Sequence, residues 1–295
     1  MNPFRTRKEL QDFLEKKVLE YNLPSFIAKD PVSVPHRFSI KQDIEIAGLF
    51  AAVFAWGNRT TIIRKSNELL KGMDDAPFDF IKNHGTTDLK RFLHFKHRTF
   101  NSTDLLYFIR FLKSHYGQNA SLESAFLPAG LSGININRVN AVITNTEKSK
   151  QETISNSDSV VVNSEIDNEF ARKALSIFYR RFFSLKNAPE RTQKHIASPE
   201  RNSTCKRLNM YLRWMVRQDK NGVDFGIWKK ISAADLICPV DLHVARVARG
   251  FGLITRKQTD WQTAMELTLA LREMDKTDPV KYDFALFGLG AMEKY

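Results

Sequence analysis

The sequence predicts an all-α fold, and three observations carry that expectation. Apolar residues recur at helical spacing through most of the chain. Helix-start signals stand ahead of several of those periodic stretches. No segment alternates polar and apolar residues clearly enough to require a sheet. Residues 6–21 give the first helix. Thr6 can cap it, Glu9 follows three positions later, and Leu10, Phe13, Leu14, Val18 and Leu19 form its apolar face. Residues 30–38 hold two prolines and predict a loop. Residues 40–56 predict a strongly apolar helix, the core helix of its domain. Gly57-Asn58-Arg59 breaks it, and Thr60 is expected to cap a helix to residue 71 with Ile62, Ile63, Leu69 and Leu70 as apolar positions. Residues 79–93 and 103–116 continue the helical pattern. Residues 130–164 are rich in Asn, Ser, Thr and Val, and predict a polar surface insertion with a short hairpin or local disorder. Helical pattern resumes over 169–185, followed by a polar loop over 186–198. Further helices are expected at 204–216, 242–251 and 260–273, with a turn over 235–240. Asp278-Pro279 opens the last helix, since proline suits a first helical position.

The length of 295 residues suits roughly two domains, and 42% hydrophobic residues suffice for a sizeable core. Lys and Arg number 45 against 33 Asp and Glu, a formal net charge of +12. That balance favours a polyanionic partner, because the electrostatic part of nucleic-acid binding grows with the phosphates neutralised. The two cysteines, Cys205 and Cys238, are too few for a four-ligand zinc or iron–sulfur site. They also argue against a disulfide framework and for a reducing, cytoplasmic setting. The first twenty residues are charged and periodic, unlike a secretory signal. The longest apolar run, residues 44–56, contains Glu45 and is too short to span a bilayer.

Two segments could carry chemistry. In Cys238-Pro239-Val240-Asp241-Leu242-His243-Val244-Ala245-Arg246, proline presets an extended backbone and Asp241 stands where a helix N-cap belongs. An acid fixed there is either a cap or a catalytic carboxylate aimed at a DNA sugar. The second segment, residues 198–207, is a polar turn opening into a helix, whose free N–H groups make a natural phosphate site. Lys206 falls in the first turn of that helix. The positive end of a helix dipole disfavours an ammonium, and a neutral amine there could form a Schiff base with an electrophilic sugar carbon. Arg213 and Arg217 share a face with Lys206 and Asn209 by helical spacing, which suggests a phosphate-binding stripe or an ordinary solvated face. His243 has no nearby His or Cys partner, so no metal site is expected. Trp56, Trp214, Trp228 and Phe287 could stack a flipped base, although aromatics at helical spacing more often belong to a core.

A polar hairpin entering a helix with an early lysine, then Val240-Asp241-Leu242-His243-Val244-Ala245-Arg246, resembles the helix-hairpin-helix (HhH-GPD) DNA glycosylase superfamily. That superfamily includes endonuclease III and the 8-oxoguanine glycosylases. The resemblance takes in residues 44–70 and 278–290, together about half the chain. Lys206-Arg207-Leu208-Asn209-Met210-Tyr211-Leu212-Arg213-Trp214-Met215-Val216-Arg217, Gly222-Val223-Asp224-Phe225-Gly226-Ile227-Trp228 and Lys281-Tyr282-Asp283-Phe284-Ala285-Leu286-Phe287-Gly288 resemble a divergent, mostly bacterial branch more closely. That branch supplies no known activity.

The resemblance implies two helical domains with a DNA-binding cleft between them. Residues 44–217 would form the central domain, ending in a degenerate hairpin, and residues 1–43 with 218–295 the second. It implies removal of a damaged base, with oxidised guanine the first candidate, and Schiff-base AP lyase activity in bifunctional members. Asp241 would stabilise charge on the sugar and Lys206 would be the nucleophile. Asn202, Ser203, Thr204 and Cys205 would grip phosphate through backbone N–H groups. Asn58 and Arg59 would fill the gap left by the flipped base, Arg213 and Arg246 would contact DNA, and Trp214, His243 and Phe287 would line the base pocket. The implied partner is double-stranded DNA, bound by a nucleoid-associated monomer without an iron–sulfur cluster. The hairpin lacks the family's glycines, leaving Asn202 to adopt the left-handed conformation. The Lys206-to-Asp241 spacing exceeds that of endonuclease III, so residues 217–236 must loop out. A non-catalytic DNA- or RNA-binding protein of the same fold is the alternative. The enzyme reading requires the Lys206 amine and Asp241 carboxylate to meet within a few ångströms beside an open pocket.

Overall fold

The structure, a computed structural model, describes residues 3–128, 161–293 and 295. The helices, in chain order, are α1 (Arg7–Tyr21), α2 (Pro24–Ile27), α3 (Lys41–Phe54), α4 (Arg59–Gly72), α5 (Pro77–Asn83), α6 (Ser102–Tyr116), α7 (Val161–Phe182), α8 (Lys206–Val216), α9 (Leu242–Gly250), α10 (Trp261–Arg272) and α11 (Tyr282–Ala291). Helix makes up 62% of the chain and strand 2%, so the mostly helical expectation holds. The strand content is an antiparallel ladder of β1 (Lys96–His97) and β2 (Phe100–Asn101), too short for an alternating pattern to be visible. No helix among the described residues is long and apolar enough to cross a membrane.

Local sequence explains most helix starts. Thr6 and Glu9 form the capping box of α1: the Glu9 N–H donates to Thr6 Oγ1 at 3.1 Å, and the Thr6 N–H donates back to Glu9 Oε2 at 3.4 Å. Leu10, Leu14 and Val18 turn inward, whereas Leu19 is 70% exposed and lies off the expected face. Helix α4 is capped by Asn58 rather than Thr60. Asn58 Oδ1 accepts the Thr61 N–H at 3.1 Å, so the helix begins two residues earlier than a Thr60 cap would place it. The stretch 79–93 is not one helix. Helix α5 ends at Asn83, and a short 3-10 turn, Asp88–Phe92, follows a break where the Gly85 N–H donates to Asp88 Oδ2. Pro279 opens a 3-10 turn, and α11 proper begins at Tyr282. The insertion expected over 130–164 lies, through residue 160, outside the described residues. From Val161 onward the chain is already in α7.

Helix α3 is the centre of the core, buried continuously from Asp43 to Phe54 and packed by α4, α5, α8 and the 3-10 turns at Pro31–Ser33 and Pro35–Arg37. Its crossing with α8 passes over Gly48, where a Cβ would stand 3.0 Å from Met215 Cε and 3.2 Å from Tyr211 Cε2. Far in sequence, α1 and α9 both pack on α11. The α9–α11 crossing brings backbone against backbone. A Cβ on Gly290 would meet the His243 carbonyl oxygen at 2.9 Å and its carbonyl carbon at 3.1 Å, and these backbone atoms cannot rotate away. Gly290→Ala is therefore expected to push the start of α9 off α11 and cost about 1–3 kcal/mol, the range for overpacking a tight interior. Chemical denaturation reads the cost, and an unchanged midpoint would show that the crossing yields freely.

Candidate active site

An open cavity of about 680 Å³ lies where the α3–α4 turn, the turn before α8, the start of α9 and the inner face of α11 converge. Asp241 reaches it because Pro239 and Val240 are buried and deliver an extended backbone into α9. Its two carboxylate oxygens divide the work. Oδ1 accepts the N–H groups of His243 at 2.9 Å and Val244 at 3.0 Å, capping α9. Oδ2 lies 3.1 Å from Lys206 Nζ. Cap and ion pair thus coexist on one side chain. Burial pushes the Asp241 carboxyl up, but the Lys206 ammonium and the Val244 N–H outweigh it and hold the group below the usual carboxylate range.

Lys206 is placed by the turn that precedes α8. Ser198 caps a 3-10 turn over Pro199–Arg201, and Asn202 then takes the left-handed conformation at φ 54°. Cys205 does so too, at φ 51°, an unusual conformation for a residue with a Cβ. The turn is held by the Trp261 N–H donating to the Asn202 carbonyl and by Asn209 Nδ2 donating to the Thr204 carbonyl at 2.9 Å. Arg207 ties the helix start to α3, donating to the Val53 carbonyl at 2.6 Å and the Lys194 carbonyl at 3.2 Å. Burial pulls its guanidinium down to about 10. The long stretch from Arg217 onward folds back along α8: the Phe225 and Trp228 N–H groups donate to the Trp214 and Met215 carbonyls. The chain therefore returns to the cavity at Asp241 without prising the two side chains apart.

The cavity wall includes Lys206, Asp241, Ser203, Thr204, Arg59, Trp214, His243 and Phe287. The Arg59 guanidinium sits 4.8 Å from the Phe287 ring centroid, a cation–π contact. Trp214 is fully buried, and among the described residues its indole N–H has no partner. Trp56 also lines the wall, whereas Trp228 belongs to the core and donates to Glu45 at 2.7 Å. Several expected DNA contacts stand elsewhere. Arg213 is 4% exposed and Arg217 3%, and Asn209 is buried with them, so the face they share is an interior one and no solvated stripe exists there. Acids from three other segments, Asp224, Asp278 and Asp283, pair with those arginines and make their burial tolerable. Cys205 is 1% exposed, and its N–H is used internally by Ser203 Oγ at 3.1 Å, so it offers no free donor to phosphate. Burial pushes its thiol up to about 12. The Arg246 guanidinium is taken up by the carbonyls of Gly290 and Tyr295, both at 2.8 Å. Asn58 caps α4 and Asn202 contacts Asp260, and both are exposed beside the cavity rather than in its wall.

Two acids in the wall went unnoticed in the sequence, Asp30 and Asp283. Asp30 caps the Pro31–Ser33 turn, and burial raises its carboxyl against the Val32 N–H. Asp283 is 6% exposed and contacts Arg213. Burial pushes its carboxyl up to about 6 against the Arg213 guanidinium, with Asp241 and Asp224 adding to the push. Its signal was available: it is the one acid in an otherwise apolar last helix. Among the described residues no cluster of three or more His, Cys, Asp or Glu is placed to hold a metal.

Fold and site together define a class: a mostly helical protein with a lysine–aspartate pair in the wall of an open cavity. The chain belongs to the family described as "Protein of unknown function (DUF2400)", which it matches over residues 30–292. No curated protein and no solved structure matches it.

Proposed function

We propose that the protein is a DNA glycosylase-like base-excision enzyme of the helix-hairpin-helix kind, cleaving the N-glycosidic bond of a damaged base. The observation that carries this reading is the 3.1 Å approach of Lys206 Nζ to Asp241 Oδ2 at an open cavity of about 680 Å³. A volume of that order accommodates a small ligand such as a flipped nucleobase. Asp241 is ionised and rigidly held, as a group must be to stabilise positive charge developing on the deoxyribose carbon. The Lys206 amine, once neutral, attacks that carbon, and the resulting Schiff base permits strand cleavage by β-elimination. The degenerate hairpin is the turn through Asn202, Ser203 and Thr204, whose last two residues line the cavity beside the start of α8 and suit a phosphate. Residues 44–217, and residues 1–43 with 218–295, are the two helical bodies of this reading, with duplex DNA lying across the cavity mouth. The net charge of +12 suits that partner.

The test is borohydride trapping on duplex oligonucleotides that each carry one defined lesion, with oxidised guanine first. Wild-type protein is expected to form a covalent adduct with at least one of them. Absence of both adduct and base release across the panel, with duplex binding retained, leaves the non-catalytic DNA- or RNA-binding protein as the correct reading.

A further inference from the structure

Beneath the cavity floor, the guanidiniums of Arg213 and Arg217 are surrounded by four carboxyl groups, those of Asp219, Asp224, Asp278 and Asp283. With all four ionised the cluster would carry two surplus negative charges. Lys206 and Asp241 alongside cancel one another and do not relieve it. Asp219 and Asp278 are about a fifth exposed and keep part of their hydration, whereas Asp224 and Asp283 are buried, and surplus charge on a buried carboxyl is relieved by taking up a proton.

The hydrogen bonds decide where the proton resides. Asp224 accepts from both arginines, at 3.3 and 3.1 Å. Asp278 accepts Arg217 Nε on both oxygens, at 3.1 and 2.8 Å. Asp219 accepts from Arg217, from Asn22 and from the N–H groups of Asn221 and Gly222. Among the described residues, the one hydrogen bond to Asp283 comes from Arg213, at Oδ2. It is also the only one of the four carboxyls that lines the cavity. The charged and titratable groups facing it are Arg213 and Lys206 from α8, Asp224 from the following loop, and Cys238 and Asp241 from the segment entering α9.

We propose that Asp283 is the proton donor of the reaction, facing the cavity as a neutral carboxylic acid and protonating the base as its glycosidic bond breaks. This assignment rests on the glycosylase reading. When the bond from the sugar carbon to the base nitrogen breaks, its electron pair leaves with the base. A base nitrogen takes the Asp283 proton, leaving a carboxylate paired with Arg213. The positively charged sugar carbon, held by the Asp241 carboxylate, bonds to the Lys206 amine or to water, which sheds one proton to solvent. Solvent then reprotonates Asp283. The opposed displacements of the two carboxyls, Asp241 held low and Asp283 pushed up to about 6, fit this division of labour.

The division predicts a dependence on the leaving group. A neutral damaged base leaves as an anion unless protonated, whereas an N7-alkylated guanine already carries positive charge and leaves neutral. Single-turnover excision of a neutral lesion is expected to fall about tenfold per pH unit above a break near the Asp283 titration, and Asp283→Asn to lower its plateau about 10²-fold and abolish the break. Excision of N7-methylguanine is expected to show neither effect. Carboxyl carbon NMR of the full-length protein is expected to show the Asp283 carboxyl, assigned by the loss of its signal in Asp283→Asn, still protonated at about pH 5.5. Should that variant fail to fold, the wild-type comparison of the two bases decides. A flat wild-type profile on the neutral lesion, equal impairment on both bases, or an Asp283 already ionised at that pH overturns the donor role while base excision stands. No excision of any lesion overturns the proposed function, and the donor role with it.

Discussion

On the proposed base-excision function, Asp241→Asn is expected to lower single-turnover excision about 10³-fold while leaving the fold intact. The magnitude follows from removing a fixed charge aimed at a cationic transition state in a partly dehydrated site. The fold survives because asparagine caps a helix as well as aspartate does, so the His243 and Val244 N–H groups keep their acceptor. Lys206→Gln is expected to behave differently. It abolishes the borohydride adduct and the lyase step, yet water can still capture the sugar, so residual base release persists. Together the two variants separate charge stabilisation from nucleophilic capture. Rapid-quench kinetics with a trapped-adduct gel reads both. An Asp241→Asn protein that excises at the wild-type rate would reduce Asp241 to a helix cap.

The second large effect is on stability and centres on Glu45, which is 0% exposed in the middle of α3. Among the described residues no arginine or lysine pairs with it. Its carboxylate instead accepts from the Tyr116 hydroxyl at 2.8 Å, the Leu122 N–H at 3.0 Å, the Trp228 indole at 2.7 Å and the Ser121 hydroxyl. Those donors come from α6, from the turn that follows it, and from the loop beyond α8. One side chain therefore joins three segments distant in sequence. Glu45→Ala leaves four donors without an acceptor and a cavity beside α3. Each stranded donor costs about 1–3 kcal/mol, not additively, so a loss of about 4 kcal/mol is expected. Glu45→Gln retains one acceptor oxygen but turns an NH₂ toward donors, and is expected to lose less. Glu68→Ala is the control: Glu68 is 45% exposed and pairs with Lys65 at 2.7 Å, an arrangement worth well under about 1 kcal/mol. If Glu45→Ala and Glu68→Ala denature at similar concentrations of urea, Glu45 is not what joins these segments.

The parts of the site that were legible in the sequence are those governed by local rules. Asp241 as an N-cap, Thr6 with Glu9, and the left-handed Asn202 each follow from a few neighbouring residues. Arg213 and Arg217 were misjudged because helical spacing says which residues share a face and nothing of which way that face turns. What turned it inward was the arrival of Asp224, Asp278 and Asp283 from elsewhere in the chain. Asp283 was overlooked for the converse reason, since its helix is so apolar that only packing gives the lone acid a role. Hydrophobic patterning and capping thus determined, from the sequence by itself, that the chain is mostly helical and where most of its helices begin, because both act within a few residues. Only the tertiary structure decided that Lys206 meets Asp241, which charges are buried and which acid faces the cavity. Those facts depend on segments tens of residues apart closing on one another, and on the loss of water that makes an unbalanced charge costly.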